Sequence, residues 1–96
     1  MNATLNLLIA DDEPSLPVLL KEFFRKEFNS THVPNGDSCL LHLTHVSVPD
    51  VIILDLNMPG LDGLQTVKRI RENTEWNNIA IVMLSATENS TARIEC

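Results

Sequence analysis

The sequence predicts an α/β domain built on a doubly wound parallel sheet, and three observations carry that expectation. Short apolar runs, Leu5 to Ala10, Val51 to Asp55 and Ile79 to Leu84, alternate with segments of helical period. These runs are apolar almost throughout, the mark of strands covered by helices on both faces. Each ends in polar chemistry: Asp11 and Asp12 after the first, Asp55 closing the second, Ser85 after the third. In open parallel sheets, ligands bind at those carboxyl ends.

The elements follow in order. After the Leu5–Ala10 run, Asp11-Asp12-Glu13-Pro14-Ser15 supplies acid and proline where a helix starts. Leu16, Leu19, Leu20, Phe23, Phe24 and Phe28 then fall on one helical face, with Lys21, Glu22, Arg25 and Lys26 opposite. Pro17 is tolerable because it sits in the first turn. Asn29 to Val33 reads as a polar edge strand, and Pro34-Asn35-Gly36-Asp37 as a turn leading into a helix through Cys39 to Leu43. After Gly63, Leu64, Val67 and Ile70 mark a third helix with Lys68, Arg69 and Arg71 outward. Thr87 to Cys96 reads as the beginning of a fourth helix.

Composition narrows the function classes. The 96 residues make one domain, 1–96, and a 44% hydrophobic fraction with 21% charged residues is that of a globular protein. A formal net charge of −6 argues against nucleic-acid or anionic-membrane binding, which need clustered positive charge. No apolar run is long enough to span a bilayer, and no export signal opens the chain, so a cytoplasmic location is expected. The triplets at Asn2, Asn29 and Asn89 are then chance glycosylation matches, and Cys39 and Cys96 are reduced thiols with no bridging pattern.

If the first two apolar strands lie side by side, Asp11, Asp12 and Asp55 meet at one sheet edge. Burying that much negative charge is costly unless a cation offsets it. Carboxylates with a neighbouring carbonyl form a hard-oxygen site suited to Mg²⁺, with Mn²⁺ as a substitute, and phosphoryl transfer is its natural chemistry. An aspartate can itself be the nucleophile. A calcium loop fits less well: Asp55, Asn57 and Gly60 match its first, third and sixth positions, but Pro59 and Thr66 break the pattern.

Three motifs in order, Leu8-Ile9-Ala10-Asp11-Asp12-Glu13-Pro14, Asp55-Leu56-Asn57-Met58-Pro59-Gly60-Leu61-Asp62-Gly63 and Leu84-Ser85-Ala86, resemble the receiver domain of bacterial response regulators. The likeness covers the whole chain and implies a CheY-like, flavodoxin-like three-layer sandwich with four of the usual five βα units. It implies that Asp55 accepts a phosphoryl group from a histidine kinase or histidine phosphotransfer protein. By the same carry-over Asp12, Asp55 and the Asn57 backbone carbonyl ligate Mg²⁺, with Asp11 acting through a water. Ser85 and Ala86 match the phosphoryl-contacting switch positions, and Met58, Pro59, Gly60, Asp62 and Gly63 shape the loop. The domain would be a regulatory phosphoacceptor rather than an enzyme.

One departure stands out. The family carries a lysine at the end of a fifth strand, and no lysine lies between Ser85 and Cys96. The domain is therefore expected to be C-terminally incomplete, with Ile79 to Leu84 left as an apolar edge open to self-association or strand exchange. The missing lysine also keeps a phosphorylation-incompetent interaction module as an alternative. An aspartyl-phosphate phosphatase is a weaker rival, because Asn57 stands where that chemistry needs a second acid. His42 and His45, three apart, are ordinary helix residues on this reading, and Trp76 serves packing.

Overall fold

The computed structural model describes residues 4–84 and the backbone of 92–95. Among the described residues, five strands and three helices follow one another as β1 (Leu5–Ala10), α1 (Ser15–Phe23), β2 (Phe28–Val33), α2 (Gly36–His45), β3 (Val51–Asp55), α3 (Gly63–Arg71), a 3-10 turn (Thr74–Trp76), β4 (Ala80–Leu84) and β5 (Ala92–Glu95). The sheet order is β2-β1-β3-β4-β5. Its first four strands are parallel, as the strand–helix alternation implies, and β5 runs antiparallel to β4.

Register sorts the side chains onto two faces. Leu8, Ile52 and Ile81 pair in one row, and Ala10, Leu54 and Met83 in the next row of the same face. These six are buried with Cys39 and Leu43 of α2 and Val67 and Ile70 of α3. Trp76 packs against the cluster, the packing role expected of it. The opposite face carries Leu7 and Ile9, also buried, with Ile53 and Val82 half-buried in the Ile9 row. Here α1 lies over β2, where the Phe24 and Phe28 rings meet edge to face with centroids 5.5 Å apart.

Local chemistry starts and stops these elements. Asn35 caps α2 by accepting from the Ser38 amide at 2.8 Å. Asp62 and Gln65 form a reciprocal capping box at α3, with the Asp62 side chain 2.9 Å from the Gln65 amide. Arg71, at the end of α3, donates to the carbonyls of Trp76 and Ile79 and so holds the connection that leads into β4.

Three expectations need correction. Thr87 to Cys96 does not continue as a fourth helix, because Ala92–Glu95 is strand; 87–91 and Cys96 lie outside the described residues. Residues 85–91 are also too few for the crossover of a dozen or more residues that a parallel neighbour requires, so the chain returns antiparallel. The Ile79–Leu84 run is consequently no open edge: β5 pairs with β4 from Ile81–Glu95 to Leu84–Ala92. That removes the basis for strand exchange. Third, the predicted apolar face of the first helix is not a buried face. Phe28 belongs to β2, and Leu19 and Phe23 are 66% and 77% exposed, while Pro17 is the buried residue of α1.

Candidate functional site

The register that builds the core also builds the site. Ala10 of β1 is opposite Leu54 of β3 in their last paired row, so one step further along both strands sets Asp11 beside Asp55. Asp12 follows directly. One carboxylate oxygen from each of Asp11, Asp12 and Asp55 lies within 4.8 Å of the others. Asp11 is buried at 4% exposure, Asp55 is half-buried and Asp12 is exposed. The cluster thus grades from sheet interior to solvent.

Two carboxylates are held the same way. Asp11 Oδ1 accepts the Glu13 amide at 2.9 Å, and Asp55 Oδ1 accepts the Asn57 amide at 3.0 Å. Each is an Asx turn, in which an aspartate bonds the backbone two residues on and fixes where its chain turns off the strand. The Leu56 amide donates to the Leu84 carbonyl at 2.9 Å, tying the loop after Asp55 to the end of β4.

The rest of that loop is shaped by packing and backbone. Met58 turns inward and is 6% exposed within the core cluster, whereas Asn57 and Pro59 are exposed. Gly60 has φ +74°, a left-handed conformation that side chains disfavour. Gly63 is required for a different reason. A Cβ there would sit 2.6 Å from the Asp55 carbonyl oxygen, so only glycine lets α3 start this close to β3. Thr66, fully buried, donates to the Asp62 carbonyl at 2.6 Å and secures the first turn of α3.

Burial raises the Asp11 carboxyl above its ordinary range; the Glu13 amide opposes this, and the charges of Asp55 and Asp12 add to it. The three carboxylates therefore repel one another where they converge. Three converging hard-oxygen donors are the set that a divalent cation such as Mg²⁺ fits. Of the positions singled out from the sequence, Asp11 and Asp12 follow β1, Asp55 closes β3, Asn57, Met58, Pro59, Gly60 and Asp62 form the loop after it, and Gly63 opens α3, all at this end of the sheet. Ser85 and Ala86 lie outside the described residues.

One neighbour gave no sequence signal. His32 of β2 faces the same side of the sheet as Ile9, its partner in the ladder, and its Nε2 is 2.7 Å from the Asp11 carbonyl oxygen. A single histidine in a polar edge strand has no periodicity or motif that marks it, and only the pairing of β2 with β1 brings it to the acidic loop. His42 and His45 lie on α2 away from the cluster.

Comparison with known proteins agrees with this geometry. The family model for the response regulator receiver domain matches residues 7–96. The chain is 34% identical over 92 residues to Regulatory protein AtoC of Escherichia coli (strain K12), covering 96% of this chain and 20% of that protein. It is 32% identical over 80 residues to Sporulation initiation phosphotransferase F of Bacillus subtilis (strain 168), covering 83% and 63% respectively. The chain thus spans less than two thirds of these relatives. Among solved structures, the N-terminal domain of a response regulator receiver protein from Methanoculleus marisnigri JR1 superposes with a TM-score of 0.80 at 27% identity, over 88% of this chain and 69% of that one. Family match, shared fold and the acidic edge agree, and the chain belongs to the response regulator receiver domain family of two-component signalling.

Proposed function

We propose that Asp55 is a phosphoryl acceptor, charged by a histidine kinase or a histidine phosphotransfer protein. The observation that supports this reading best is the convergence of Asp11, Asp12 and Asp55 within 4.8 Å at the carboxyl ends of two adjacent parallel strands. Asp12, Asp55 and the Asn57 backbone carbonyl would hold Mg²⁺ directly, and Asp11 through a water. When bound, the cation would neutralise charge that otherwise repels an incoming phosphoryl group.

The chain's own residues supply orientation. The Asn57 amide holds Asp55 Oδ1, and Oδ2 would be the attacking oxygen. That oxygen forms a bond to phosphorus while the phosphorus–nitrogen bond of a phosphohistidine breaks and the imidazole departs with its electron pair. The product is an acyl phosphate on Asp55. By the family resemblance Ser85 would contact the new group and Ala86 leave it room, which would bias the conformation of the domain. Such a domain is a regulatory switch rather than a catalyst of steady turnover.

The test is direct. Incubation with a small phosphodonor and Mg²⁺ should add one phosphoryl group to the protein, read by intact-mass spectrometry, and none to Asp55→Asn. A wild-type protein that stays unmodified, or an Asp55→Asn variant modified to the same extent, would overturn the reading and favour an inert interaction module.

A further inference from the structure

We infer that His32 is a positioning residue for the acidic loop, setting the Asp11–Asp12 peptide so that the carboxylates converge on a divalent cation. The inference rests on the metal-dependent phosphoacceptor reading and extends it to a residue on a different strand. A backbone carbonyl can only accept, so the 2.7 Å contact between His32 Nε2 and the Asp11 carbonyl oxygen requires the Nε2-protonated ring. The β1–β2 pairing ends at Ala10 and Val33. The Asp11 amide reaches back to the Val33 carbonyl at 3.1 Å, and the imidazole supplies the next donor beyond the strand's end.

Asp11 is thereby fixed at three points: its amide by Val33, its carbonyl by His32 and its side chain by the Glu13 amide at 2.9 Å. Asp12 sits between the peptide that His32 holds and the amide that Asp11 holds. Its exposed carboxylate has little packing to aim it, so its direction is set by the backbone on either side. Groups behind metal ligands commonly orient them in this way, and their loss weakens metal binding without removing a ligand. His32 is half-buried and stands in the row of Ile9, on the side of the sheet where Asp11 and Asp55 lie.

The alternative is that His32 merely satisfies a carbonyl at a strand end. Three variants separate the two readings. In His32→Gln the amide nitrogen stands near the Nε2 position and keeps the donor; His32→Asn has a donor too short to reach; His32→Leu has none. Mn²⁺ affinity, followed by electron paramagnetic resonance without any phosphodonor, should stay within about twofold of wild type in the Gln variant. It should fall about tenfold in the Asn and Leu variants, the low end for groups behind metal ligands. Saturating Mg²⁺ should then restore their phosphoryl uptake from a small phosphodonor.

A folded Leu variant with wild-type Mn²⁺ affinity overturns the inference, even if its thermal midpoint is lower, because that is what strand-end satisfaction alone produces. Should the Leu variant fail to fold, equal affinities in the Gln and Asn variants overturn it instead. A wild type that binds Mn²⁺ with this ranking of variants but accepts no phosphoryl group supports the role of His32 and overturns only the phosphoacceptor reading.

Discussion

The two faces of the sheet are built from similar sequence material and end in different states. On one, α2 and α3 close over Leu8, Ile52, Leu54, Ile81 and Met83, and Cys39 is so buried that its thiol is pushed up to about 12. On the other, α1 covers β2 while Val18, Leu19 and Phe23 stay 64%, 66% and 77% exposed. The α1 segment has the cleaner helical period in the sequence, yet it buries less. A period of 3.6 shows that a helix can present an apolar stripe; it does not show that anything lies beneath it.

Ile52→Ala is expected to produce the largest change. It removes a fully buried side chain from the centre of the covered face, and such truncations cost about 2–5 kcal/mol. Urea unfolding followed by circular dichroism measures it. A cost below about 1 kcal/mol would mean that this face is not the packed one.

Asp11→Asn should have a smaller effect of opposite sign. Burial, reinforced by the charges of Asp55 and Asp12, raises the folded-state carboxyl above 3.8. The folded protein therefore favours the protonated acid. The stability this contributes is fully present below pH 3.8 and is lost as pH rises through the raised value. In the metal-free protein the substitution should raise the thermal midpoint at neutral pH, and the gain should shrink as pH falls toward 4. A variant less stable than wild type at neutral pH would show that the carboxylate is already neutralised by something other than a cation.

Phe23→Gln is expected to change least, within about 0.5 kcal/mol, because the ring is mostly in solvent already. Its edge-to-face contact with Phe24, at 4.9 Å between centroids, contributes little at such exposure. A loss of about 2 kcal/mol or more in the same unfolding experiment would mean that the α1 face is covered in solution. The contrast between the faces would then be erased.

Much of the fold and the site was legible before any coordinates. Continuous apolar runs ending in Asp11 and Asp55 located two strands and their functional ends, because a strand buried on both sides needs unbroken apolar residues and a charge must wait for its exit. Gly63 was read as a loop-shaping residue, but its reason, a close approach to the Asp55 carbonyl, needed the structure. The expected helix after Thr87 failed because local pattern does not register that β4 has an apolar edge with backbone groups to satisfy. His32 was invisible for a related reason: its partner is 21 positions away, and nothing in its neighbourhood names it.

The sequence by itself determined the four parallel strands, the carboxylates that close two of them and the family those motifs belong to. These depend on local order: which residues are apolar in a row, and which residue closes each row. The tertiary structure alone decided which apolar residues are covered, that β5 closes the edge of β4, and that His32 reaches the Asp11 peptide. Those outcomes depend on strand order and register, which join residues far apart in the chain, and no local pattern carries that information.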